Sequence, residues 1–98
     1  MYKINFEFSK KDMMRYISHL DLMRLLVRAM RRANLPLKLS EGFSPHPKLS
    51  LNRALKLGLD SESEQGAIVL KEFIKTDDIK RRLQEQLPDG ISVLTVHL

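Results

Sequence analysis

Apolar and polar residues alternate in several stretches of the chain, and this period of two predicts β-strands. In residues 48–59, Arg53 occupies a position that the alternation assigns to the apolar, inward face. In residues 91–98, the alternation places Thr95 and His97 on the same face as Ile91. A further strand is predicted from a continuous β-prone run, which follows a polar stretch, residues 60–65, that predicts a turn. The predicted strands are residues 2–8, 48–59, 67–74 and 91–98.

Two other stretches repeat their apolar residues at helical spacing. The first predicts a helix at about residues 18–34, in which Ser18 and Asp21 form a capping-box pattern at the start. The second begins at Thr76 as its cap. It places three leucine or isoleucine side chains on its inner face: Ile79, Leu83 and Leu87.

The predicted element order is β-α-β-β-α-β. This order is typical of the ferredoxin-like split fold, an α+β architecture in which two helices cover one face of an antiparallel sheet. We therefore expect residues 1–98 to form a single domain. Tyr2, Phe6 and Phe8 share one parity, and we expect them in the core in preference to an exposed base-stacking surface.

Composition restricts the chemistry of this domain. The chain has 98 residues, 43% of them hydrophobic, and no cysteine. Disulfides, thiolate metal sites and cysteine catalysis are therefore excluded within it. Because no apolar run has the length of a signal peptide or a membrane span, we expect a cytoplasmic protein with no membrane partner.

The first predicted helix carries an arginine-rich stripe beside its apolar arc. The chain has a net charge of +5 and a pI near 9.7, and Asp21 is the one acidic residue on the stripe. Arginine forks match phosphate oxygens, so the stripe is a candidate nucleic-acid-binding surface; the alternative is a solvated helix face. The candidate residues, with two lysines nearby in sequence, are Arg24, Arg28, Arg31, Arg32, Lys38 and Lys48.

A loop rich in proline and glycine follows the helix. Prolines on both sides of His46 restrict its backbone, and Gly42 suits a positive φ. Such a loop is pre-organised for binding; alternatively it is structural, with Phe43 covering the core. The candidate recognition loop comprises Glu41, Gly42, Phe43, Pro45, His46 and Pro47.

Polar residues at the helix start and in the loop form a second candidate site. His19 and Asp21, together with Glu41 and His46, have the groups needed for acid–base RNA cleavage or for metal binding. The structural alternative is a helix-start hydrogen-bonding residue and a packed loop histidine. Because their spacing matches no catalytic or metal motif, we predict neither an enzyme nor a cofactor.

Two long motifs within residues 15–48 resemble a known family. RYISHLDLMR at residues 15–24 and SEGFSPHPK at residues 40–48 are similar to the radical SAM-linked domain of unknown function of bacteria, as are residues 54–62 and 87–91. Members of that family are usually about twice as long, so the chain resembles an N-terminal half or a short member. It departs from the family pattern at Lys56 and around Gln65, Ala67 and Val69.

The resemblance implies a bacterial cytoplasmic protein that acts with a radical SAM enzyme. The iron–sulfur cluster must then belong to that partner, because this chain has no thiolates. We predict a non-enzymatic accessory domain that binds RNA through the arginine stripe and the loop. The alternatives are an adaptor that docks on the radical SAM enzyme without RNA, and a metal-independent ribonuclease that uses His19 and His46.

Overall fold

The computed structural model describes residues 1–53 and 58–98 of the chain. A short 3₁₀ helix, Asp12–Tyr16, follows the first strand. The other elements are β1 (Tyr2–Lys10), α1 (His19–Arg32), β2 (Leu49–Leu51), β3 (Ser61–Leu70), α2 (Thr76–Gln84) and β4 (Ile91–His97).

The four strands form one antiparallel sheet in the order β2-β3-β1-β4. Since β3 lies between β1 and β2, and β1 lies between β3 and β4, the two β-α-β halves of the chain interleave. The predicted α+β class, with one antiparallel sheet and two α-helices, is confirmed. The 3₁₀ helix is an addition to the predicted order, whereas the irregular segment between α1 and β2 lies where the loop was predicted.

One face of the sheet forms the core, and both α-helices contribute to it. On β1, Ile4, Phe6 and Phe8 are buried, which confirms the core assignment for the two phenylalanines. Each such side chain contributes roughly 1.5–3 kcal/mol by its burial. Tyr2 remains 40% exposed and packs edge-on against Phe73. The helices add Leu22, Leu26, Ala29, Met30, Ile79 and Leu83 to the same core.

The two ends of α1 explain why the sequence predicted this helix well. At its start, the Ser18 Oγ accepts a hydrogen bond from the Asp21 N–H at 3.1 Å, as the cap pattern predicted. At its end, Asn34 has a φ of 56°, and the Leu35 N–H donates to the Met30 carbonyl at 3.1 Å. This is a Schellman motif, which ends a helix by satisfying its last carbonyls.

The predicted bounds of the two strands at residues 48–59 and 67–74 were wrong. Residues 60–65 were predicted as a turn, but β3 begins at Ser61 and ends at Leu70, before the predicted end at residue 74. Within this polar stretch Glu64 is buried on the core side of the sheet, whereas its neighbours Ser63 and Gln65 are exposed. In the described part of the predicted 48–59 strand, only Leu49–Leu51 is extended, and residues 54–57 lie outside the described residues.

A β-bulge reverses the predicted facing of the end of β4. Glu7 pairs with Thr95 but Phe8 pairs with Val93, so one extra residue, Leu94, stands on β4. After the bulge, Val96 packs partly against the core, whereas Thr95 lies on the face opposite to Val93. The prediction that Thr95 and His97 share a face with Ile91 is therefore wrong.

Candidate nucleic-acid interface

A groove lies between α1 and the loop that follows it. Its volume is about 570 Å³. Arg24, Arg28 and Arg31 line its helix wall, and all three are exposed. The other lining residues are Leu20, Met23, Val27, His46, Pro47 and Leu49. The structure therefore brings three of the four stripe arginines together with the predicted recognition loop.

The groove exists because α1 has more apolar surface than the core uses. Leu22 and Leu26 are buried under the sheet, whereas Met23 and Val27 are half-buried and line the groove. Leu20 is 58% exposed at the start of the helix. A wide apolar arc can be predicted from the helical period. Its division between core and groove depends on where β2 and the loop lie.

The neck of the loop is closed by Ser40 and His46. The Ser40 N–H donates to the His46 carbonyl at 2.7 Å, and the His46 N–H donates to Ser40 Oγ at 3.1 Å. The imidazole Nδ1 of His46 is 3.2 Å from Ser40 Oγ and 3.1 Å from the Ser44 carbonyl oxygen. Leu39 and Pro47 pair as an isolated bridge just below. The imidazole is thus held in place on the loop side of the groove.

The tip of the loop projects into solvent. Gly42 has a φ of +122°, a region that favours glycine, and Phe43 is fully exposed. Glu41 and Pro45 are exposed as well. The alternative in which Phe43 covers the core is therefore wrong, and the tip of the loop presents an aromatic side chain to solvent.

The fourth stripe arginine lies elsewhere. Arg32 lines a second depression, of about 420 Å³, between α1 and the segment that follows α2. Glu85 and Pro88 line the same depression, and Arg28 borders both it and the groove. The arginine stripe is therefore divided, with three members at the groove and one beside an acidic side chain.

Neither candidate lysine lines the groove with the arginines. Leu49 pairs with Ile68, which is buried on the core side, so its neighbour Lys48 lies toward the opposite face of the sheet. Lys48 lines a depression of about 180 Å³ there together with Lys3. Lys38 follows the buried Leu37 and is fixed by its backbone, because its N–H donates to the Val69 carbonyl at 2.8 Å.

The four polar residues of the second candidate site do not form one cluster. Within residues 1–53 and 58–98, no three His, Cys, Asp or Glu side chains are placed to hold a metal ion. Asp21 lies 3.7 Å from Arg24 in an exposed ion pair, and Glu41 is at the exposed loop. His46 lines the groove, whereas His19 does not, and the buried His19 Nδ1 has no hydrogen-bond partner among the described residues.

An ion pair between the buried Glu64 carboxylate and the exposed Arg53 guanidinium, near the start of β3, was not predicted. Glu64 accepts hydrogen bonds from the Arg53 Nε, at 3.0 and 3.1 Å, and from the Ser61 hydroxyl at 2.6 Å. The bond from Arg53 lowers the pKa of Glu64, outweighing burial, which raises it; Ser61 and the charges of Arg53 and Lys10 lower it further. The position of Arg53 among alternating apolar residues was a signal in the sequence for an inward-facing charge. No such signal identified Glu64 as its partner, because Glu64 lies in the stretch that was predicted as a turn.

Together, the fold and groove define a small α+β domain with a cationic, partly apolar cleft. Residues 3–98 match a family described as an uncharacterized protein conserved in bacteria (DUF2344), and the chain belongs to that family. No curated protein and no solved structure is significantly similar to the chain. In the part of the chain that the structure describes, no helix is long and apolar enough to cross a membrane.

Proposed function

We propose that this protein is a non-enzymatic RNA-binding accessory domain that acts in the bacterial cytoplasm with a radical SAM protein. The observation that carries the RNA-binding part is the position of Arg24, Arg28 and Arg31 on one wall of a groove. His46, on a loop closed at its neck, lines the same groove.

The electrostatics of the groove favour a phosphate-bearing ligand. Arginine forms forked hydrogen bonds with phosphate oxygens and stays charged at all physiological pH values. Of the groove arginines, Arg24 forms an ion pair with Asp21, which is exposed and at 3.7 Å. Exposed pairs of this kind contribute little. The three guanidinium groups are therefore available to a ligand, in a chain whose net charge is +5.

The radical SAM partner is proposed from the motif resemblance at residues 15–24 and 40–48. Residues 19–24 of the first motif begin α1, and the second motif forms most of the loop, so both motifs contribute to the groove. A domain that holds RNA in this groove would present it to a partner that carries out the chemistry. That partner supplies the iron–sulfur cluster, because this chain contains no cysteine.

The proposal is tested by binding of fluorescently labelled RNA, measured as anisotropy at low salt. The test variant is the triple substitution Arg24→Ala, Arg28→Ala and Arg31→Ala. A second triple variant removes the same charge from exposed lysines that do not line the groove: Lys71→Ala, Lys75→Ala and Lys80→Ala.

We expect the arginine variant to lose most of its binding while the lysine variant keeps it, with both folded by circular dichroism. Equal weakening in the two variants would mean that net charge, and not the groove, attracts RNA. No binding by the parent protein at low salt would refute the RNA-binding function.

A second candidate function is an adaptor that docks on the radical SAM protein without contacting RNA. Phe43 is fully exposed at the tip of the loop, and Leu20, which lines the groove, is 58% exposed. Exposed apolar groups of this kind suit a protein interface. Hydrophobic docking depends weakly on salt. Co-purification with the radical SAM protein that survives high salt and ribonuclease treatment, but is lost in Phe43→Ala, favours the adaptor.

A further inference from the structure

We infer that the groove accepts an unpaired segment of RNA and places at least one nucleobase on its apolar floor. This inference rests on the RNA-binding function proposed above and specifies the class of RNA. A binder of the double-stranded backbone needs a charged surface alone. The groove combines charge with an apolar floor, and that combination distinguishes the two kinds of ligand.

The apolar part of the groove lining, called its floor here, comes from both sides of the groove. Met23 and Val27 of α1 are half-buried there, and Pro47 and Leu49 form the opposite side. The volume of about 570 Å³ lies in the range of pockets that enclose small organic ligands. A paired duplex keeps its bases stacked inside and would leave this surface uncovered. An unpaired strand has bases that can splay out and cover it.

The arginines are arranged for a backbone that follows the helix axis. Arg24, Arg28 and Arg31 are spaced i, i+4, i+7, so they lie near one face, about 6 Å and then about 4.5 Å apart along α1. Their exposed side chains line the groove together with the half-buried Met23 and Val27. Phosphates on the arginines and bases on the floor are therefore compatible with one extended strand.

His46 provides an aromatic ring at the groove. Its Nδ1 lies within hydrogen-bond distance of Ser40 Oγ and the Ser44 carbonyl oxygen, so the ring is already held in the unbound protein. Aromatic side chains, histidine among them, stack on unpaired bases in proteins that bind single-stranded RNA. A ring fixed in advance has little conformational entropy to lose when a base stacks on it.

The test compares three labelled ligands with the same number of phosphates: a single-stranded RNA, a duplex and a single strand in which several bases are replaced by abasic units. We expect the unmodified single strand to bind most tightly. The abasic strand should bind about tenfold more weakly for one lost stacking contact, because the phosphates alone remain. Val27→Thr and His46→Ala should each reduce the ratio of the affinities for the intact and the abasic strand. The reduction should come from weaker binding of the intact strand, because the abasic strand has no base to place at these residues.

Two outcomes overturn the inference, and only one of them also overturns the RNA-binding function. If duplex, single strand and abasic strand bind equally, and all depend on the groove arginines, the groove is a backbone site and the RNA-binding function survives. If none of the three binds at low salt, this inference and the RNA-binding function both fail.

Discussion

The Arg53 guanidinium donates hydrogen bonds to both carboxylate oxygens of Glu64, whose side chain is only 5% exposed. This contact ties the segment after β2 to the start of β3. Glu64 lies on the core side of the sheet, so a carboxylate there must have partners. We therefore expect the pair to stabilise the end of the sheet where β3 begins, a stretch that was predicted as a turn.

Arg53→Ala should destabilise the protein because it leaves a buried carboxylate without its main partner. Leaving a buried hydrogen-bonding group unsatisfied costs about 1–3 kcal/mol in general. The control is Arg81→Ala, which removes exposed ion pairs with Asp78 and Glu85. Urea unfolding should give a clearly larger loss for Arg53→Ala than for Arg81→Ala. Equal losses would mean that the Arg53–Glu64 pair does not hold the sheet.

The same pair predicts a dependence of stability on pH. The pKa of Glu64 is lowered in the folded protein, chiefly by the hydrogen bond from Arg53, so the charged form stabilises the fold. This stabilisation is present above the usual pKa of 4.5 and is lost as the pH falls below it, through the folded-state pKa. The difference in unfolding free energy between the parent and Glu64→Gln should therefore shrink from pH 7 toward pH 3. A difference that stays constant with pH would contradict this assignment.

Arg82 of α2 closes the C-terminal end of α1. Its guanidinium donates to the Ala33 carbonyl at 2.7 and 3.0 Å and to the Asn34 carbonyl at 2.8 Å. Arg82→Ala should cost about 1–2 kcal/mol, because these hydrogen bonds are lost at a helix end. Lys80→Ala, two residues earlier in the same helix and exposed, should leave the unfolding free energy nearly unchanged. Denaturant titration distinguishes the two, and a neutral Arg82→Ala would show that this cap contributes nothing.

Phe43→Ala should separate binding from stability. The side chain is fully exposed, so its removal should leave the melting temperature within about 4 °C of the parent. We expect weaker binding of single-stranded RNA, because Phe43 is an exposed aromatic on the loop whose His46 lines the groove, and exposed aromatics stack on bases. Fluorescence anisotropy measures the RNA affinity, and thermal melting of the same sample measures the stability. Unchanged RNA affinity would exclude the loop tip from the interface.

Local patterns predicted the elements whose signals lie within a few residues. The limits of α1 follow from Ser18, the helical period and Asn34, and the structure confirms them. The polar start of β3 was missed, because its extended conformation depends on pairing with β1, as in Phe8 opposite Glu64. The facing of Thr95 was missed because a bulge is a property of two paired strands.

The candidate groove was predictable only in its parts. Helical period identified the stripe with Arg24, Arg28 and Arg31, and the prolines and Gly42 identified the loop. Their meeting in one groove depends on the pairing of β2 with β3, which no local signal reports. The same pairing directs Lys48 to the other face, although it is close to the loop in sequence.

The most direct test of RNA binding through the groove is the slope of log affinity against log salt concentration. Each phosphate contact to a single strand contributes about −0.7 to this slope, so three arginine contacts predict about −2 for the parent. The triple variant Arg24→Ala, Arg28→Ala and Arg31→Ala should bring the slope close to zero, while Lys71→Ala, Lys75→Ala and Lys80→Ala should leave it unchanged. A parent slope near zero, or one that the arginine variant does not alter, would contradict the proposed function.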